Sequence, residues 1–194
     1  MPEMASYGLF GKLPALGDFV ARGLAGDDLR RIDDWLARGM LALQSSSAQW
    51  LDSYLVSPVW QCLIPAGRLC SEPCAAAVMP SVDRVGRYFP LLAVRALPPP
   101  SEAAALIPEL AIVAASLPAA LHEQLGPDLL LERLAQPNPR PVAAPDGERL
   151  LAGFRADGDV SLCWSLPGPL APFRFVSHRG PADPGLFLSL FEGR

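Results

Sequence analysis

The sequence predicts a mixed α/β chain of the α+β type, with a mainly antiparallel central sheet flanked by helices. Three observations carry this reading. Apolar runs at 59–64, 74–80 and 88–97 follow one another through short connections, and short connections join antiparallel neighbours. The second and third runs are apolar on alternate faces, so they should sit inside a sheet with both faces covered. Stretches with apolar residues at spacings of three and four lie before and after these runs, and they supply the covering helices.

The elements follow in order. Residues 6–13, SYGLFGKL, read as a first strand, which PALGDF breaks at Pro14 and Gly17. A helix is expected over 27–44, where Leu29, Ile32, Leu36, Met40 and Leu43 form one apolar stripe with Trp35 beside it. Asp27 or Asp28 would cap its start, and Arg30, Arg31, Asp33, Asp34 and Arg38 would face water. SSSAQW, 45–50, is a polar break. A second strand then runs from Val59 to Ile64, and Gly67 turns the chain. CAAAVMP, 74–80, and YFPLLAVRAL, 88–97, are the third and fourth strands, joined by SVDRVGR as a seven-residue hairpin loop. Pro90 is tolerable near a strand start.

PPP at 98–100 ends the sheet segment, and Ser101 is placed to cap a helix carrying Leu106, Leu110, Val113 and Leu117. Pro108 and Pro118 should kink or restart that helix. A shorter helix is expected over 127–134, followed by a proline-rich linker at 135–148. RLLAGF and VSLCWSL flank the turn signal Asp157-Gly158, and FRFVSH, 173–178, adds a strand. GLFLSLF, after Pro184, closes the chain as a short helix. The expected organisation is an α/β domain over 1–135 and a small C-terminal β appendage over 136–194, packed on the same domain.

Composition narrows the function. Hydrophobic residues make up 51% of 194, enough for a substantial core. The net charge is −4 with no basic run, which argues against nucleic acid and against a polybasic membrane anchor. Lys12 is the sole lysine among many arginines, which the alanine- and proline-rich composition explains as genome bias. The first residues lack a signal-peptide pattern. No apolar run approaches the roughly 20 residues of a membrane span. The stretch 103–121 is interrupted by Pro108, Glu109, Ser116 and Pro118. A soluble cytoplasmic protein without membrane insertion is expected. Cys62, Cys70, Cys74 and Cys163 lack zinc-site spacing and are expected to be reduced, although Cys70 and Cys74 are near enough in sequence to pair.

Catalytic motifs are missing from the sequence. There is no G-x-S-x-G elbow, no G-x-x-x-x-G-K-[ST] loop and no G-x-G-x-x-G turn. The acid pairs Asp27-Asp28 and Asp33-Asp34 read as caps and surface charge, and a hydrolase built on His122 and His178 is the weakest alternative. No enzyme activity, cofactor or metal is expected. Two loops stand out instead, GKLPALGDF at 11–19 and PSVDRVGRYFP at 80–90, each setting charge and glycine beside large apolar groups. One reading is local: Asp83 caps a turn, Gly86 supplies a positive φ, Arg87 pairs with an acid, and Asp18 is a turn residue or a buried partner for Arg84 or Arg87. The other is a partner-binding surface of Lys12, Asp18, Asp83, Arg84, Arg87 and Tyr88, with Phe89 as a further apolar contact. An alternative function is a small-ligand or phosphate-binding module using Arg84 and Arg87.

The same loops carry a family resemblance. Gly11, Lys12, Pro14, Gly17, Asp18 and Phe19 match the signature G-K-x-P-x-x-G-D-F. Pro80, Ser81, Asp83, Arg84, Gly86, Arg87, Phe89, Pro90 and Leu91 match P-S-x-D-R-x-G-R-x-F-P-L, and SPVWQCLI lies between the two. With these motifs the chain resembles the TagF family, also called ImpM, of type VI secretion-associated proteins, over about its first half. The resemblance implies a longin- or profilin-like α/β fold. It also implies a cytoplasmic, non-enzymatic, post-translational repressor of type VI secretion assembly, acting apart from the threonine-phosphorylation switch. The implied partner is the forkhead-associated scaffold protein of the same system. Some relatives carry a fused phosphatase domain, for which these 194 residues leave no room, so that activity is not expected.

Overall fold

The apolar runs do form neighbouring antiparallel strands. The structure, a computed structural model, describes residues 7–24, 26–98, 100–136, 147–167 and 172–192. Seven strands make one sheet: β1 (Gly8–Gly11), β2 (Val20–Arg22), β3 (Trp60–Ile64), β4 (Cys74–Met79), β5 (Leu91–Ala96), β6 (Val160–Ser165) and β7 (Arg174–Arg179). Their order is β2-β1-β5-β4-β3-β6-β7, and each neighbouring pair is antiparallel. The all-buried patterns of β3 and β4 explain why their sequences do not alternate.

Helices cover both faces. On one side lie α1 (Gly26–Ser46), α2 (Trp50–Leu55) and α7 (Pro184–Phe191), with a core that includes Trp35, Tyr54, Trp60, Phe187 and Phe191. On the other side lie α3 (Pro100–Ser116), α4 (Ala119–His122) and α5 (Pro127–Ala135), where Leu110, Val113, Leu130 and Trp164 meet. A short α6 (Gly147–Ala152) packs on α3. The predicted stripe of α1 is buried at Ile32, Leu36, Met40 and Leu43, and its charged face is exposed. The helix α7 begins where Asp183 accepts a bond from the Leu186 N–H, with Pro184 in the first turn. Trp35 Nε1 donates to the Asp183 carbonyl, fastening α1 to that start. No helix among the described residues is long and apolar enough to cross a membrane.

Several local expectations change. The polar break at 45–50 leads into α2, whose apolar residues are too few to show a period. The three-residue β2 was not foreseen, because a strand so short has no pattern. Asp28 does not cap α1; the helix starts at Gly26, and Asp28 instead accepts bonds from the Ser71 N–H and hydroxyl at 2.8 and 2.9 Å. Asp27 pairs with Arg30 on the surface. Ser101 falls inside α3, which begins at Pro100 and continues through Pro108 to Ser116. The burial of Ile107, Leu110, Ala111 and Ala114 outweighs the backbone bond lost at that proline. A new helical start does follow Pro118. RLLAGF is helical at α6, and the Asp157-Gly158 turn joins that helix, not a strand, to β6. Most of the proline-rich linker, 137–146, lies outside the described residues. The last two strands, expected in an appendage, continue the same sheet beside β3.

The cysteine expectation is corrected. Cys62 and Cys163 are direct cross-strand partners on β3 and β6, with Cα atoms 4.2 Å apart, and they are joined as a disulfide. A separation of 101 residues made this pairing invisible to spacing arguments. Cys70 and Cys74 are buried free thiols. A bond from Cys70, and burial, hold the Cys74 thiol well above its usual range. Denatured without reductant, the protein should therefore present two titratable thiols; four would mean that Cys62 and Cys163 are not joined.

Helices α1 and α7 come close together at Gly39. A Cβ there would lie 2.2 Å from Phe187 Cγ and 2.6 Å from its Cβ, in a fully buried site with no room to yield. Gly39→Ala should lower the unfolding free energy by about 1–3 kcal/mol in denaturant titration, through overpacking. An unchanged midpoint would show that α7 can shift away from α1.

Candidate functional site

The two conspicuous loops leave the same end of the sheet. Gly11 at the end of β1 and Met79 at the end of β4 both pair with Leu91, the first residue of β5. The β4–β5 connection is eleven residues long, 80–90, and is pinched by a bridge between Val82 and Tyr88. Gly11 lets the first loop lie against the second. Its φ is +133°, and a Cβ there would meet the Pro90 carbonyl oxygen at 2.0 Å. Across this contact the Ser81 hydroxyl donates to the Lys12 carbonyl at 2.7 Å.

The centre of the site is the Asp83 carboxylate, on a residue only 3% exposed. Its Oδ2 accepts from Lys12 Nζ at 2.7 Å and from Arg87 Nε at 2.6 Å. Its Oδ1 accepts from the backbone N–H groups of Val85 at 3.0 Å and Arg87 at 2.9 Å. Burial alone would raise the acid's pKa. The bonds from Lys12, from both the backbone and side chain of Arg87, and from the Val85 N–H outweigh it and hold the carboxyl well below the usual range. The turn itself closes through the Gly86 N–H on the Asp83 carbonyl, with Gly86 at φ +89°. Arg87 reaches on to the Gly17 carbonyl, and the Arg84 N–H donates to the Leu16 carbonyl at 2.9 Å. Each loop therefore holds the other.

Helix α2 supports this arrangement from below. The Tyr54 hydroxyl donates to the Ser81 carbonyl at 3.1 Å and accepts from the Ser81 N–H at 2.9 Å. Burial chiefly pushes the Tyr54 phenol up, so it stays a neutral donor. Above it, Phe19 stacks on Phe10 at 5.8 Å and meets the edge of Phe89 at 4.9 Å, while Lys12 Nζ lies 5.0 Å from the Phe19 ring centre.

The predicted residues thus divide. Lys12 and Asp83 are buried and paired with each other. Arg87 bridges the loops, with its side chain partly in solvent. Asp18 and Arg84 are exposed, and among the described residues neither side chain has a hydrogen bond or ion pair. Asp18 is therefore not a buried partner for Arg84 or Arg87. Tyr88 is 36% exposed and packs edge-on against Tyr54, while Phe89 belongs to the core. His122 ends α4, and His178 lies on β7 with Nε2 3.0 Å from the Pro181 carbonyl; the fold brings neither to the loops. Among the described residues no three of His, Cys, Asp and Glu gather as a metal site. Sequence reasoning missed Phe19 as a surface group, and Tyr54 and Ser81 as supports. The terminal aromatic of GKLPALGDF was the available signal for Phe19; nothing local marks Tyr54.

Residues 8–137 match the family described as the TagF N-terminal domain, type VI secretion system-associated. The fold is similar to the crystal structure of PA0076 from Pseudomonas aeruginosa PAO1, with a TM-score of 0.76 and 34% identity, covering 96% of this chain and 94% of that one. None of the curated proteins matches the sequence.

The depressed Asp83 carboxyl makes a pH prediction. Its stabilising contribution is complete above the unfolded value near pH 4 and is lost as pH falls toward the lower folded value. Asp83→Asn should therefore melt clearly below wild type at pH 7, and the gap should narrow as both are acidified below about pH 4. A gap that stays constant down to pH 2.5 would show that the charge of Asp83 does not stabilise the fold.

Proposed function

The chain belongs to the TagF N-terminal-domain family of type VI secretion-associated proteins, and on that premise we propose that it is a non-enzymatic, cytoplasmic, post-translational repressor of secretion assembly that binds the forkhead-associated scaffold protein of the same system. The observation that most favours this reading is the use made of the signature loops. Their buried charges satisfy one another through Asp83, and the result is a fixed protein surface with exposed side chains on it. A catalytic loop would instead hold a nucleophile and a base toward an opening. Here the Ser81 hydroxyl donates to the Lys12 carbonyl, and Lys12 faces Asp83.

The alternative of a phosphate grip needs two guanidinium groups free to converge on one anion. Arg87 is already engaged by the Asp83 carboxylate and the Gly17 carbonyl, which leaves Arg84 by itself. A single exposed arginine beside an aspartate suits a protein contact better than an anion site.

Two measurements test the proposal. Purified protein should retain the purified scaffold in a pull-down, and raising its level in cells should reduce assembled secretion apparatus without lowering the amount of scaffold. Failure to bind, or unchanged assembly, would remove this reading.

A further inference from the structure

The signature residues sort by whether the fold needs them. Gly11 allows the approach of β1 to Pro90, and Gly86 takes the positive φ of the turn. Lys12, Ser81 and Asp83 make the buried bonds that join the loops, and Arg87 braces Asp83 and reaches the Gly17 carbonyl. Asp18 and Arg84 have no comparable task, and Phe19 has one only on the side that packs against Phe10 and Phe89. Asp18 and Arg84 are exposed and unpaired among the described residues, and Phe19 leaves 51% of its surface in water.

These three lie together. Asp18 and Phe19 directly follow Gly17, and Arg84 Nη2 lies 3.5 Å from the position a Cβ would take on Gly17. The Arg84 backbone is tied to Leu16 and the Arg87 guanidinium to Gly17, so the patch sits on ordered backbone. The Phe19 ring is itself held on one side by Phe10, Phe89 and Lys12. An aromatic group fixed before binding loses little rotamer freedom when covered, which is how interface anchors act.

From this arrangement we infer that Asp18, Phe19 and Arg84 form the contact face for a protein partner: an apolar side chain covers the outer surface of Phe19, a carboxylate meets Arg84, and an N–H donor or cation meets Asp18. The inference rests on the proposed binding of the forkhead-associated scaffold and assigns the place and chemistry of that contact. Opposite charges close to an exposed apolar group fix orientation, because a partner presented the wrong way round would set like charges together. They also disfavour a uniformly anionic surface, such as a nucleic acid or a lipid headgroup layer, which Asp18 and the net charge of −4 would repel.

The test is the dissociation constant of the purified scaffold for wild type, Asp18→Arg, Arg84→Glu and Phe19→Ala, with thermal melting of each. Phe175→Ser serves as a control: it is 49% exposed on β7, four strands along the sheet from β5. The two charge variants should weaken binding about ten-fold or more and Phe19→Ala about thirty-fold, while the control binds as wild type. Phe19→Ala also uncovers Phe10 and Phe89 and should melt somewhat lower; Asp18→Arg and Arg84→Glu should melt as wild type, so their affinities decide. If wild type binds and both charge variants bind within about two-fold of it, this inference falls and the proposed function stands. If wild type does not bind, both fall.

Discussion

A carboxylate buried between two loops is the constraint on which the business end of this sheet depends. Asp83 would be costly to place there as an isolated charge, since taking an ion out of water carries a large desolvation penalty. Four donors, from Lys12, Val85 and Arg87 twice, meet its two oxygens, so its hydrogen-bonding capacity is almost filled. Those donors come from residues 71 positions before it and from the turn just after it. One side chain therefore sets both the local shape of the β4–β5 connection and the position of the chain leaving β1. The same argument explains why Lys12, the one lysine in the sequence, is found inside. An ammonium on a flexible stem can reach a buried acid and still lie over an aromatic ring, which a planar fork would do with more difficulty.

Support for that pair extends well beyond the loops. Ser81 links the first loop to Tyr54 on α2, and the Tyr54 ring stacks on Phe191 at 5.7 Å. Phe191 stacks on Phe187 at 4.5 Å, and Phe187 meets Trp35 of α1 edge-on. The C-terminal helix thus underlies a surface built from the N-terminal half of the chain. Gly39 and Phe187 show how tight this support is, since the α1–α7 contact has no space for a methyl group. The division of the sequence into a domain and an appendage has a similar answer in the sheet. Cys163 faces Cys62 and Trp164 faces Gln61, so β6 completes the edge that β3 would otherwise expose.

What could be read from the sequence follows the range of the interactions involved. The α1 stripe, the β4 and β5 runs and the α5 helix are set by side chains within a few residues of one another, and each lies close to its expected place. Helix α2 and strand β2 are too short to show a period, and their position depends on tertiary contacts such as Tyr54 with Ser81. The signature loops were visible as unusual mixtures of glycine, charge and aromatic residues. The fold brings the two loops together, but the roles of the residues within them were not legible. Nothing in the local sequence separates Asp18, which faces water, from Asp83, which does not. That difference arises from which loop carries the lysine and which turn presents two N–H groups to the acid.

The contrast between those two aspartates bears on how such a surface can be specific. Charges that are satisfied internally determine geometry but contribute little to recognition, because a partner cannot reach them. Charges left exposed contribute little to stability, because water and salt screen them, yet they are free to select a partner. Here the first kind, Lys12 and Asp83, sits on the same two loops as the second, Asp18 and Arg84, with Arg87 bracing Asp83 from a side chain half in solvent. The exposed pair inherits its spacing from the buried one. Since the buried pair in turn rests on α2 and, through Tyr54 and Phe191, on the last helix, the surface exists in its competent form only when both ends of the chain are folded. A surface built in this way is a property of the whole fold, and a partly folded chain does not display it.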